Sequence, residues 1–296
     1  MRENSFTFGI IQSTFYPLML TITLVSSFLL IGYLETKYFI FIPGILLLFF
    51  VPVFILGEKY IPYREDWQMN KGDLGTDFLQ TFVILPTASK LSEFLIPMVF
   101  YYPVLWTSQK ADSTVLNEAN GILINFAIAL VCCEFLYYWF HRWCHKISVF
   151  WKFHAVHHGA QRVYWVNSGR FHIIEAVVSS MIYFLPLILL TATPEVIILV
   201  ISFSSITGFM EHVNINFKAG FLNYIFNSAQ LHRWHHSIIV HESNRNYGKS
   251  LVIWDLLFGT FYLPKEKEVQ KVGIENANVP NGFARQFVYP FKREKK

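Results

Sequence analysis

His141 to His158 reads HRWCHKISVFWKFHAVHH, and five of its eighteen residues are histidines. On a helix, residues three and four apart share a face, so His141 and His145 form a pair and His154, His157 and His158 a triplet. The triplet spacing, H-x-x-H-H, returns at His232, His235 and His236 inside LHRWHHS. A single histidine is more often a surface or satisfied core residue than a ligand, but all eleven histidines here fall between His141 and His241. One zinc takes about four protein ligands, so eight or nine converging imidazoles suit two ions. Imidazole binds zinc, copper, iron and nickel; the pattern predicts a nitrogen-rich, two-metal site and leaves the metal open.

Outward from this stretch the composition points to a membrane. Hydrophobic residues make up 53% and charged residues only 15%, with a mean hydropathy of +0.37, whereas soluble domains carry about 25% charge. The net charge of +4 does not indicate nucleic acid, because the basic residues are spread along segments flanking apolar runs. Cys132, Cys133 and Cys144 lie in or beside an apolar helix without C-x-x-C spacing and read as reduced packing residues.

Two apolar segments, Tyr16 to Leu34 and Tyr38 to Leu56, have the length that spans a bilayer. The first is too long for a signal-peptide core and no small-residue cleavage site follows it. Residues 57–76 form a polar connection. Phe78 to Trp106 is apolar but interrupted by Pro86, Lys90, Glu93 and Pro97; it reads as a kinked span or a re-entrant segment, with Lys90 and Glu93 paired. Ile122 to Phe140 is a clear span that delivers the chain into the first histidine pair. Within it Glu134, Tyr138, His141 and His145 step by four, three and four residues, so Glu134 is expected either to bond a ligand histidine or to reach water at the membrane edge.

In the second half, a membrane hairpin at residues 176–210 turns at Thr193-Pro194-Glu195 and returns the chain to the histidine side. Asn216 follows His212 by four residues and would share its helical face if the helix continues, as a weak ligand or water holder. His241 fits no motif. Ser243 to Pro264 reads as a short amphipathic helix along the membrane surface, with Asp255 as a solvated charge. The chain ends in a charged tail, residues 265–296, whose last residues KREKK are basic.

At these motifs the chain resembles the fatty acid hydroxylase/sterol desaturase superfamily. The match is carried by Glu134, YYWFHRWCH, FWKFHAVHH, the RFHIIE of Arg170 to Glu175, the EHVN of Glu211 to Asn214, LHRWHHS, NYG and IWDLLFGTFY. Ile173 stands where the family usually has proline. The resemblance implies an all-α integral membrane helical bundle with a cytosolic helical cap holding a dinuclear, usually iron, centre. The ligands would be His141, His145, His154, His157, His158, His212, His232, His235 and His236. Glu134, His172 and Asn216 would support them, His172 on the substrate side.

The division expected is residues 1–140 as membrane helices leading into the site, 141–264 as the histidine domain, and 265–296 as the tail. The family's chemistry is O2-dependent hydroxylation, desaturation, methyl oxidation or ether cleavage of lipids. An unactivated C–H bond is beyond acid–base side chains, so an oxygen-activating metal is required. No nucleotide-binding glycine loop, C-x-x-C-H or G-x-S-x-G is present, so two electrons must come from outside, from a cytochrome b5, ferredoxin or pterin type donor. Zinc is expected to replace iron readily on purification. Two rival classes are a haem-holding electron carrier and a non-catalytic metal-binding or transport protein. With both termini and every histidine on the cytosolic side of a bacterial inner membrane or the endoplasmic reticulum, only Lys37 and Lys110 lie opposite and Lys90 lies within a span. About twenty-one of the 24 Lys and Arg then face the cytosol, as the positive-inside rule requires.

Overall fold

The computed structural model describes residues 6–109, 115–265, 267–276 and 279–292. Lys110 and the last four residues of the basic tail, which carry part of the topology expectation, lie outside that set. Among the described residues the fold is helical, with three isolated β-bridges and no strand.

Helix α1, Phe6–Tyr33, starts ten residues before the apolar run that announces it. The extension is possible because its polar side chains bond to their own helix: Ser13 to Gly9 O, Thr14 to Ile10 O, Thr23 to Met19 O and Ser27 to Thr23 O. Hydroxyls satisfied in this way can enter lipid. A 3-10 turn, Thr36–Phe41, leads into α2, Ile42–Tyr60, with Pro43 in its first turn.

The interrupted segment is resolved as follows. Helix α3, Leu74–Leu79, passes through a π turn, Gln80–Ile84, into α4, Leu85–Val99. The π turn accommodates Pro86, which has no N–H to offer the α-helical ladder. The chain breaks at Phe100, so the expected span Phe78 to Trp106 is instead Leu74–Val99 followed by a separate α5, Tyr101–Ser108. Lys90 and Glu93 do pair, at 2.9 Å.

Helix α6, Ile122–Lys146, ends where Ile147 turns extended, and α7, Ser148–His158, starts at once. Then come α8, Ile173–Leu189, α9, Pro194–His212, α10, Ala229–His235, α11, Val240–Ser243, α12, Ile253–Leu257, and α13, Phe283–Val288.

Five helical stretches, Phe6–Tyr33, Thr36–Tyr60, Leu74–Val99, Ile122–Lys146 and Pro194–His212, are long and apolar enough to cross a bilayer. Four have no more than 33% of their apolar window buried, and bare residues such as Leu48 and Phe94 (79% and 66% exposed) suit contact with lipid tails. Helix α9 differs, with 67% buried. It is the central post, packed by α1, α2, α6 and α10, and it carries His212 at its inner end.

The C-terminal half departs from expectation in two places. Beyond Ser243, the last residue of α11, only Ile253–Leu257 of the stretch to Pro264 is helical, and Asp255 is buried rather than solvated. Its carboxylate accepts from Tyr247 N (2.8 Å), Gly248 N (2.8 Å) and Thr260 Oγ1 (2.6 Å), closing the loop on itself. The tail is stitched to the histidine domain. Ile238 N donates to Lys271 O and Gly273 N to His236 O, and Val269 and Val272 pack with Trp67, Val163 and Trp234.

Candidate metal centre

Three local devices aim the histidines. The break at Ile147 folds α7 back on α6, which turns the triplet His154, His157 and His158 onto the pair His141 and His145. Ser228 caps α10 through Gln230 N (3.1 Å), setting the rotation that carries His232, His235 and His236. The loop between α7 and α8 is clamped to α3 by two buried ion pairs, Arg162 to Asp73 (2.7 Å) and Arg170 to Asp77 (2.9 Å). Gly169 lets that loop close, since a Cβ there would stand 2.7 Å from Thr81 Cα.

The result is two groups. His141, His145, His154, His158 and His235 form one, and His157, His212, His232 and His236 the other. Within each group the ligand atoms lie within 4.8 Å of one another. All nine histidines named from the motifs are brought together, eight of them buried and His145 half-buried.

The hydrogen bonds on the outer ring nitrogens decide what the inner ones can do. His141 Nδ1 meets Tyr247 O and His235 Nδ1 meets Arg245 O, both at 2.8 Å. A carbonyl only accepts, so each Nδ1 carries the proton and each Nε2 is a bare lone pair. His154 Nδ1 donates to Glu175 at 2.5 Å. His212 Nδ1 donates to Asn167 Oδ1 at 2.8 Å, and that amide's orientation is set by its Nδ2 donating to Arg162 O.

The inner ring nitrogens then face each other. His141 Nε2 lies 3.1 Å from His154 Nε2, His158 Nε2 3.1 Å from both His154 Nε2 and His235 Nε2, and His232 Nε2 2.9 Å from His212 Nε2. His141 and His154, each with its Nδ1 already donating, thus present two facing lone pairs, which repel unless a cation or a proton sits between them. Protons are disfavoured: burial, with neighbouring imidazoles adding to it, holds His154, His158, His232, His235 and His236 well below the ordinary imidazole range. His145 Nε2, His157 Nδ1 and His236 Nδ1 are buried without a partner. The donor set therefore fits two metal ions. It does not fit haem, because imidazoles 3 Å apart leave no slot for a porphyrin between them.

The supporting residues are not those the motifs suggested. Glu134 bonds no histidine; its carboxylate accepts from the backbone N–H groups of Lys249, Ser250 and Leu251 (3.0, 3.0 and 3.3 Å) and from Tyr183 Oη. His172 caps α8 through Ile174 N and bonds Phe287 O (3.0 Å), so it tethers α13 and stands outside both groups. Asn216 loses its place because α9 stops at His212; the chain then runs extended, with Asn216 N bonded to Ile61 O. Their places beside the ligands are taken by Glu175, by Asn167, and by Glu211, whose Oε2 lies 3.7 Å from His232 Nδ1. Glu175 sits in the RFHIIE motif and Glu211 directly precedes His212, so both were visible as acids. Which nitrogen they face was not.

Known proteins are similar in sequence to this chain. The sequence profile of the fatty acid hydroxylase family matches residues 126–260, from near the start of α6 to the loop after α12. The chain is 33% identical over 247 residues to ornithine lipid hydroxylase OlsE of Rhizobium tropici, which covers 82% of this chain and 74% of that protein. It is 32% identical over 141 residues to alkylglycerol monooxygenase of Homo sapiens, covering 48% of this chain and 31% of that one. A very-long-chain aldehyde decarbonylase of Oryza sativa is 22% identical over 179 residues, covering 57% and 28%. No solved structure matches the chain. From its histidine groups, its membrane-length helices and these relatives, the chain belongs to the fatty acid hydroxylase family.

Proposed function

We propose that the protein hydroxylates or desaturates the hydrocarbon part of a membrane lipid, using O2 and two electrons from an external donor. The observation that carries the reading is the set of imidazole lone pairs forced together at the inner ends of α6 and α9, next to helices that face lipid. Its relatives named as lipid hydroxylase and alkylglycerol monooxygenase support the same class of substrate. Two irons, one in each histidine group, would supply the redox chemistry that activates O2 and attacks the C–H bond. In hydroxylation one oxygen atom enters the lipid; the other leaves as water with the two electrons and two protons.

The chain's own part is to hold the ligands neutral, in fixed tautomers and away from bulk water. Glu175 places negative charge behind His154 and makes that imidazole a stronger donor. Zinc would occupy the same nitrogens, standing above ferrous iron in the affinity order. We place the histidine groups on the cytosolic side, on the distribution of Lys and Arg.

A cleft of about 790 Å³ lined in part by Tyr247 supports an electron donor that docks there. Arg142, Lys146 and Arg245 line it against one acid, Glu275, which favours an acidic donor such as a cytochrome b5 or ferredoxin type protein over a neutral pterin. Under its floor Tyr247 stands 5.2 Å from His145 and 5.7 Å from His141, ring to ring.

The test is turnover under labelled O2 with reduced donor and candidate lipids. Label in a lipid hydroxyl, or an O2-dependent double bond, is the expected result. A metal-loaded, reducible protein that consumes no O2 with any lipid pool would favour a non-catalytic metal-binding role.

A further inference from the structure

Lys249 is not used by the site as described. Its backbone is held by Glu134, and its side chain runs back into the bundle. Cε lies 3.9 Å from the place a Cβ would occupy on Gly208 of α9, and Nζ stands 4.4 Å over the Tyr183 ring of α8. Helices α8 and α9 are joined at this level by a hydrogen bond between Tyr183 Oη and Ser204 Oγ, and the half-buried Lys249 lies beside that bridge.

This layer of side chains adjoins the histidines. The Tyr183 ring lies 5.9 Å from Tyr137, and Tyr137 lies 5.6 Å from His141. Among the described residues the Lys249 amine meets the Tyr183 ring and has no hydrogen-bond or ion-pair partner. Burial pulls the amine below its ordinary value, against the upward pull of Glu134 and Glu211. Neither acid is an ion-pair partner, and Glu134 is already satisfied by backbone donors.

A hydrocarbon tail packed against this amine would leave three N–H donors unmet. An ionisable side chain inside a membrane bundle is commonly a substrate contact. We propose that Lys249 binds an acceptor oxygen of the lipid substrate, a carboxylate, carbonyl or phosphate oxygen. The C–H bond presented to the histidine centre then lies in the headgroup-proximal part of the lipid, not at the far end of an acyl chain. This rests on the oxygenase reading above and narrows its substrate class.

The experiment reads binding without turnover. Full-length protein in nanodiscs of uncharged lipid is titrated with N-palmitoylglycine, dipalmitoyl phosphatidate and hexadecanol, comparing wild type with K249M, K249R and G208V. Wild type should prefer at least one acceptor-rich probe over hexadecanol. K249M should bind that probe about tenfold or more weakly, and K249R should keep most of the affinity. G208V, which pushes the Lys249 stem aside, should resemble K249M. Preference for N-palmitoylglycine identifies a carboxylate or amide group, and preference for phosphatidate a phosphate or ester.

Metal content equal to wild type shows that each variant is folded, and K249R supplies the folded comparison if K249M is not. In active preparations K249M should raise KM more than it lowers kcat. Equal affinity in wild type and K249M, equal affinity of wild type for all three probes, or oxidation near the methyl end of an acyl chain would overturn the proposal. A protein that binds as expected but consumes no O2 would count against the oxygenase reading alone.

Discussion

His154 and Glu175 meet at 2.5 Å through Nδ1, while His154 Nε2 faces His141 and His158, each at 3.1 Å. One imidazole is thus fixed from behind by a carboxylate and committed in front to its group. Carboxylate, histidine and metal in line is an arrangement that sets tautomer, ring orientation and basicity together.

The first prediction separates two buried acids. Glu175→Gln keeps an acceptor for His154 but removes the charge, and should lower metal affinity or turnover about 10–100-fold. Glu134→Gln should act on the fold instead, because it weakens acceptance from three backbone N–H groups, at a cost of about 1–3 kcal/mol. Metal content and thermal unfolding measured on both variants check this, and an E134Q protein of normal stability with defective metal binding would refute it.

Metal stoichiometry should follow the two groups. Wild type should carry two ions per chain. His235→Ala should empty the five-histidine group and His157→Ala the four-histidine group, while His241→Ala, at an exposed residue of α11, should leave both filled. Elemental analysis gives the count; one ion per wild-type chain, or full occupancy in His157→Ala, would contradict the assignment.

Acid should destabilise the protein over a definite range. His154, His158, His232, His235 and His236 are held well below 6.5 in the fold, by burial first. Unfolded, they bind protons as the pH falls below about 6.5, so the unfolded state then carries more protons and gains. Stability and bound metal should be level above that pH and decline below it. Thermal unfolding and metal retention from pH 8 to 5 test the sign, and stability that rises toward pH 5 would be the wrong one.

Arg170 has no solvent exposure and binds Asp77 (2.9 Å) and Val156 O (3.1 Å), joining α3, α7 and the loop that carries Asn167. Arg170→Met should leave Asp77 as a lone buried charge and cost about 3–5 kcal/mol. The double variant with Asp77→Asn should recover part of the loss. A single variant with unchanged unfolding temperature would show that the clamp is not needed.

Topology is tested with single cysteines in a background lacking the native three. Cysteines at Glu35, in the exposed turn before α2, and at Ser243, in α11, should label from opposite faces of the membrane. Labelling of both from one face would overturn the assignment of sides.

How much was legible beforehand depended on whether the signal was local. Apolar runs and the spacing of His141, His145, His154, His157, His158, His232, His235 and His236 are local, set by the bilayer's thickness and the helix repeat. From them came the membrane bundle and eight of the nine histidines, while the family and the isolated His212 came from the resemblance carried by the motifs. The same reasoning failed wherever a side chain's partner is far along the chain. Glu134 shares a helical face with His141, yet it is drawn to backbone N–H groups at 249 to 251, because a buried carboxylate takes the donors that reach it. Asn216 was placed by continuing a helix that ends at His212, and His172 turned out to cap one helix and hold another.

Only the tertiary structure divided the histidines five and four, since the Ile147 break and the central post α9 decide which imidazoles meet. Only it matched Glu175 to His154 and Asn167 to His212 and set Lys249 over the Tyr183 ring. Periodicity reports which face of a helix a residue occupies; a hydrogen bond between residues 21, 45 or 115 positions apart depends on how whole helices pack, and no local pattern encodes that.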